Sequence, residues 1–336
     1  MTQGDPAGIG PEILAKLALA EPPSIEPASR LVLIAEHPAL EAVRDTLPNL
    51  NWDRLRRLGG VPSRAELLAL PSTAVALLDP VASPRQVILG APGAADAAGA
   101  IAALDAGVEL TRRGITDAVV TAPLSKSVVS RYHLPGFTGH TDYLAAGAGL
   151  ERYGCDYLMA FLAPDLQVAL LSTHLPLTAA IHHVTKDSVL EALRCLTRHA
   201  PGRIALAGLN PHAGEEGLMG SEEIHTLSPA VARARAEGIE VAGPESPDSL
   251  FARARSGAFD WVLALYHDQG LIAVKTAAFG LATNWTLGLP YLRTSVDHGT
   301  AFAIAGKGLA DERPLAACVE TTVRMLDGEL PRRTMR

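Results

Sequence analysis

The sequence predicts an α/β protein of two lobes with a central cleft, and three observations carry that reading. Short apolar, β-rich runs alternate along the chain with longer alanine-rich runs, the pattern of strands joined by helical crossovers in a largely parallel sheet. The 336 residues are 48% hydrophobic and 19% charged, which is enough apolar material for one large core or two medium ones. No internal repeat or low-complexity linker interrupts the alternation. Residues 1–336 are therefore expected to form a single catalytic unit of two interleaved lobes, with no boundary marked.

Taken in order, strands are expected over residues 31–35, 74–78, 118–121, 157–162, 168–172, 204–207 and 261–265, each short and apolar. Helices are expected over 94–113, 186–199, 221–237 and 314–326. The Pro- and Ser-containing stretches over 20–29 and 80–84 read as surface connections. At the start, Met1-Thr2-Gln3 runs straight into a glycine-rich turn of a kind that usually leaves a buried strand. Either the true start lies upstream of Met1, or the first strand is a stub.

The net charge of −7 argues against a nucleic-acid binder, which needs a basic face to neutralise phosphates. Three scattered cysteines without a CxxC pair fit a reducing compartment. No apolar run is long enough for a membrane span, and no basic segment followed by an apolar one opens the chain. A cytoplasmic protein is expected.

Several segments could carry chemistry. The glycines of Gly4-Asp5-Pro6-Ala7-Gly8-Ile9-Gly10-Pro11-Glu12 permit close backbone approach, and Pro11 suits a helix start, whose free N–H groups attract anions. The spacing is not that of the Rossmann fingerprint, and a tight turn fits as well as a ligand contact. His140 and Thr141, after Thr138-Gly139, would offer imidazole, hydroxyl and backbone donors to a phosphate or carboxylate; an ordinary capped helix is the plainer alternative.

His174, His212 and His267 each follow a predicted strand, and the carboxyl ends of strands form the ligand crevice of α/β sheets. Three neutral imidazoles there suit Zn²⁺ or a similar divalent ion with positions left open, although no local spacing motif links them. Lys275, Asn284 and Arg293 are the strongly polar side chains of an otherwise small and apolar string. A cation–amide–cation set suits a doubly charged phosphate; two surface cations and a turn asparagine are the alternative. Residues 293–301 read as a loop entering a helix, able to wrap a cofactor's ribose or pyrophosphate.

Together these strings resemble one family, the 4-hydroxythreonine-4-phosphate dehydrogenases of pyridoxal phosphate synthesis. The likeness rests on Gly4 to Glu12, Phe137-Thr138-Gly139-His140-Thr141, Thr173-His174-Leu175-Pro176-Leu177 and Gly208-Leu209-Asn210-Pro211-His212-Ala213-Gly214-Glu215. It continues through Tyr266-His267-Asp268-Gln269-Gly270, Thr286-Leu287-Gly288-Leu289-Pro290 and Arg293 to Ala301. The resemblance implies an isocitrate/isopropylmalate dehydrogenase-like fold and a homodimer whose active site is shared between subunits. It implies a divalent metal on His174, His212 and His267 (zinc first, magnesium or cobalt next) and NAD or NADP bound without a Rossmann fingerprint. A small phosphorylated substrate would be held by His140, Thr141, Lys275, Asn284 and Arg293.

The implied reaction oxidises 4-phosphohydroxy-L-threonine to 2-amino-3-oxo-4-phosphooxybutanoate, which decarboxylates to 3-amino-2-oxopropyl phosphate. Asp268 is a candidate proton acceptor by its place beside His267. The chain departs from the family pattern in its short start, in the interior of the loop over 215–220 and in the apolar stretch over 276–282. These departures keep D-threonate or D-erythronate 4-phosphate open as substrate. A non-redox phosphate enzyme, such as a phosphate acyltransferase, is the reading from another class, and the three histidines count against it.

Overall fold

The computed structural model describes residues 1–21 and 29–329; the connection expected over 20–29 lies mostly outside the described residues. The chain begins with α1 (Gly10–Leu19), β1 (Val32–Ile34), α2 (His37–Arg44), β2 (Leu55–Arg57), α3 (Arg64–Ala69), β3 (Val75–Leu78) and α4 (Ala94–Arg112). Then come β4 (Ala118–Thr121), α5 (Lys126–Tyr132), α6 (His140–Gly147), β5 (Leu158–Ala163), β6 (Leu166–Leu170), α7 (Leu177–His183), α8 (Lys186–His199) and β7 (Ile204–Ala207). It ends with α9 (Ser228–Ala236), β8 (Val241–Glu245), α10 (Pro247–Arg255), β9 (Trp261–Ala264), α11 (His267–Ala278), β10 (Thr283–Leu287), β11 (Leu292–Ser295) and α12 (Arg313–Leu326).

Two compact units result. The first joins Met1–Tyr143 to Pro290–Asp327, and the second consists mainly of Leu144–Leu289. In the first unit β1, β3 and β2 pair in parallel, as do β4 and β11. Thr2 makes parallel bridges to Ile34 and to Thr121, so Met1–Gln3 acts as a strand stub between β1 and β4. Gly4 follows at φ 64°, and a Cβ there would stand 2.1 Å from the Pro123 carbonyl oxygen. A Cβ on Gly10 would stand 1.8 Å from the Gln3 carbonyl oxygen. The glycine-rich segment thus folds back onto the stub at distances only hydrogen allows. Leu14, Leu17, Leu33, Leu77, Val120 and Leu315 belong to the core this packing closes.

The sheet of the second unit is mixed, not largely parallel. β10 and β5 pair antiparallel, as do β5 and β6, whereas β6, β9, β7 and β8 run in parallel. The reason is local: only Pro164 and Asp165 separate β5 from β6, and so short a connection returns the chain antiparallel. α11 lies against this sheet through Gly270, where a Cβ would stand 2.7 Å from Leu170 Cδ2 and 2.9 Å from Val168 Cγ1.

Other expectations are corrected as well. The helix expected over 221–237 begins as a π turn, Glu223–Leu227, before α9. The segment over 293–301 opens as a strand, because Arg293, Thr294 and Ser295 complete β11 against β4. Its loop leads into a 3-10 turn, Phe302–Ile304, and the next α-helix is α12.

Candidate active site

β6, β9 and β7 are parallel neighbours, so their carboxyl ends open on one edge of the second unit. His174 follows β6, His212 follows β7, and His267 is the first residue of α11 after β9. The rings of His174 and His267 are 5.4 Å apart between centroids. His267 Nδ1 donates to Asp268 Oδ1 at 2.7 Å, and His212 Nδ1 to Glu215 Oε2 at 3.2 Å. A carboxylate on Nδ1 fixes the tautomer with its lone pair on Nε2, the arrangement of metal-ligating histidines. Hydrogen bonds from the Ser246 hydroxyl and then the Ser249 N–H hold the Asp248 carboxyl below its usual range.

His212 sits in an unusual turn. Residues 212–216 have φ of 52°, 53°, 78°, 41° and 56°, a run in the left-handed region where only Gly214 has no steric penalty. Glu223, buried beneath it, accepts backbone N–H from Leu209 and Asn210, both at 2.7 Å, and the Asn210 side-chain amide at 2.9 Å. Among the described residues no three His, Cys, Asp or Glu side chains form a metal-binding group. The donor set suits a borderline divalent ion in kind, and each chain holds its parts.

In the first unit, His140 and Thr141 open α6, and Arg293 lies on β11 opposite Val119 of β4. Arg293 is 1% exposed and donates to Thr121 Oγ1 at 2.7 Å; burial pushes its guanidinium down to about 10, so it stays a cation at neutral pH. Burial, then the charges of Arg293 and Lys126, hold the His140 imidazole well below its ordinary range. Sequence reasoning missed Lys126. Its only signal is a lysine just past the end of β4, at the first position of α5. This neutral imidazole beside two cations and a buried threonine is a pocket for an anion.

The other two candidates lie on the second unit. Lys275 is half-buried in the last turn of α11, and Asn284 lies on β10 opposite Phe161 of β5. The Asn284 side-chain oxygen is buried and accepts no hydrogen bond among the described residues. A buried acceptor in that state is one a ligand donor would satisfy.

The glycine-rich segment meets the loop after β11: Ile9 N–H donates to the Thr300 carbonyl at 3.0 Å, and a Cβ on Gly8 would stand 3.0 Å from the same oxygen. Beneath lies a buried ionic cluster in which Arg85 bridges Glu36 (2.5 and 2.9 Å) and Asp96 (2.9 Å). Asp5 is fully buried beside this cluster. Desolvation pushes its carboxyl up to about 6 against the opposing pull of the Ala7 N–H, and Oδ2 has no partner among the described residues.

Residues 28–322 match the family described as pyridoxal phosphate biosynthetic protein PdxA. The chain belongs to this family. A 4-hydroxythreonine-4-phosphate dehydrogenase of Chromobacterium violaceum is 42% identical over 328 residues, spanning 95% of this chain and 94% of that protein. A crystal structure of 4-hydroxythreonine-4-phosphate dehydrogenase from Klebsiella pneumoniae superposes with a TM-score of 0.83 at 33% identity, over 97% of this chain and 98% of that one. A terephthalate 1,2-cis-dihydrodiol dehydrogenase from Burkholderia xenovorans is more distant, with a TM-score of 0.61 and 26% identity over 98% and 96% of the two chains. The PdxA-family chain is therefore α/β with the fold of these dehydrogenases, as its alternating runs predict.

Proposed function

We propose that this PdxA-family chain is an NAD(P)-dependent, metal-dependent dehydrogenase that oxidises 4-phosphohydroxy-L-threonine, with loss of CO₂ from the β-keto acid to give 3-amino-2-oxopropyl phosphate. The observation that carries the reading is the emergence of His174, His212 and His267 from the carboxyl ends of three adjacent parallel strands. Their chemistry suits zinc before magnesium or cobalt. A bound divalent ion would supply Lewis acidity, lowering the pKa of the substrate hydroxyl, and a nicotinamide would supply the hydride acceptor.

The chain's own groups do the rest. Arg293 and Lys126 set a positive potential for the phosphate, and His140 and Thr141 add donors at the start of α6. Lys275 and Asn284 of the second unit keep the substrate-binding role the family resemblance implies. Asp268 accepts from His267, so its first task is to orient that imidazole; it is also the candidate acceptor for the hydroxyl proton. The homodimer with a metal site drawing on both subunits is what the family resemblance implies, and His174 and His267, with rings 5.4 Å apart, would form one chain's share of it. No helix among the described residues is long and apolar enough to cross a membrane, in keeping with a cytoplasmic enzyme.

The test follows NAD(P)H absorbance with and without added Zn²⁺, Mg²⁺ or Co²⁺, offering 4-phosphohydroxy-L-threonine beside D-threonate and D-erythronate 4-phosphates. Metal-dependent turnover confined to the amino substrate is expected. Turnover of the sugar-acid phosphates alone would keep the chemistry and replace the substrate. No reduction of either nicotinamide by metal-loaded protein would refute the dehydrogenase assignment for these substrates.

A further inference from the structure

The three histidine-bearing strand ends are tied to one another through the main chain of a single residue. Leu265, just past β9, donates its N–H to Gln269 Oε1 at 2.7 Å, and its carbonyl accepts from Ser172 Oγ at 3.0 Å. Gln269 then donates through Nε2 to the Gly208 carbonyl at 2.7 Å. Ser172 lies between β6 and His174; Gly208 lies between β7 and His212; Gln269 stands in the first turn of α11, two positions past His267. The chain of bonds therefore runs from the end of β6 to that of β9 and on to that of β7.

The ladder alone does not do this. β6 and β9 pair in register from Val168–Val262 to Leu170–Ala264, and β7 and β9 from Ile204–Trp261 to Leu206–Leu263. Past the Leu171 N–H bond to the Ala264 carbonyl (2.8 Å), side chains take over where the chain departs toward the three histidines. Gly208 also touches the turn it precedes, since a Cβ there would stand 3.1 Å from Ala213 Cα. A displaced Gly208 carbonyl would move the left-handed turn of His212 with it. Ser172 is 2% exposed, so its hydroxyl has no water to turn to if the bond is lost.

From this geometry we infer that Gln269 and Ser172 are positioning residues: through the N–H and C=O of Leu265 they set the spacing of the strand ends that carry His174, His212 and His267. The inference rests on the metal reading given under Proposed function. A glutamine suits the role because one side chain supplies an acceptor and a donor pointing opposite ways along the strand-end edge. A glutamate would keep the acceptor for Leu265 and set an oxygen against the Gly208 carbonyl.

The test uses the full-length protein and Co²⁺ as probe, reading its affinity by chelator competition and its visible d–d spectrum, beside metal-free thermal unfolding. Wild type, His212→Ala, Gln269→Glu, Gln269→Met and Ser172→Ala are compared. Gln269→Glu and Gln269→Met are expected to weaken Co²⁺ binding by about 10- to 100-fold, the range for residues that orient metal ligands, and to change the band pattern. Ser172→Ala, the mildest change, should shift the bands in the same sense with a smaller loss of affinity. Metal-free unfolding should stay close to wild type for Ser172→Ala, which separates spacing of the ligands from loss of fold.

Co²⁺ binding that wild type lacks, or that His212→Ala retains in full, overturns the metal reading and this inference with it. Binding that depends on His212 but keeps wild-type affinity and spectrum in folded Gln269 and Ser172 variants overturns the inference alone. If the Gln269 variants do not fold, Ser172→Ala decides, and an unchanged spectrum there overturns it.

Discussion

Arg293 is the residue whose environment says most about its task. A buried guanidinium held by Thr121 keeps its positive charge out of water, where an anion is attracted strongly. Arg293→Lys, which cannot reproduce two parallel bonds, should raise KM for the phosphorylated substrate by about 10- to 100-fold, taking charged hydrogen bonds at roughly 1.5–3 kcal/mol. An unchanged KM would remove Arg293 from the phosphate site.

His140 gives a pH-dependent counterpart. Its imidazole is neutral at pH 7 because burial, Arg293 and Lys126 all disfavour the proton. A phosphate dianion placed beside it reverses that field, so binding should take up a proton. Calorimetry of inorganic phosphate binding in buffers of different ionisation enthalpy, well above the second ionisation of phosphate where the free ligand is already the dianion, checks this, and His140→Asn should remove the proton uptake. Equal heats in all buffers for the wild type would contradict it.

Asp5 carries the opposite linkage. Its folded pKa, about 6, lies above its ordinary value of 3.8, so the native state holds a proton that the unfolded chain has released. Its contribution is most favourable below pH 3.8 and is lost as pH rises through 6. Asp5→Asn should flatten that part of the stability–pH curve in urea titrations between pH 4 and 7. A slope identical to wild type would mean the carboxyl is not held in this state.

At the scale of elements, the placement of α11 governs His267. The helix starts on that histidine and reaches the sheet only because Gly270 has no side chain against Leu170 and Val168. Gly270→Ala should destabilise the protein by about 1–3 kcal/mol, as overpacking does, and a calorimetric Tm equal to wild type would show that the helix can shift without cost. Legibility in the sequence varies by element for a related reason. β7 and β9 were readable because all their residues are buried and apolar, IALA and WVLA. β10 and β11, TNWTL and LRTS, mix threonine, asparagine and arginine with few apolar residues. Their strand character comes from pairing with β5 and β4, and no local pattern announces that pairing.

At the scale of the whole molecule, the prediction concerns the proposed homodimer. Mixing His212→Ala with His267→Ala protein under conditions that exchange subunits should restore metal-dependent activity that neither has alone. Each mixed dimer would then pair an intact His212 with an intact His267 from the other chain. Absence of recovery in demonstrably mixed dimers would place the two ligands on one chain. The candidate site was legible to the same depth: the residue types and their order along the chain identify the family, but not which of them meet. Lys126 shows the limit, since nothing near it in sequence announces its place beside His140 and Arg293.

The sequence by itself determined the α/β class, the strand ends on which the histidines stand, and the family, because periodicity, turn residues and ordered motifs are local properties of a chain. Only the tertiary structure decided that Met1–Gln3 completes a sheet, that β5 and β6 turn antiparallel, and that His174 meets His267. The shifted titrations of His140, Arg293 and Asp5 also belong to the tertiary structure. Burial, strand pairing and field depend on residues far apart in the chain, and each is fixed when the packed whole closes around it.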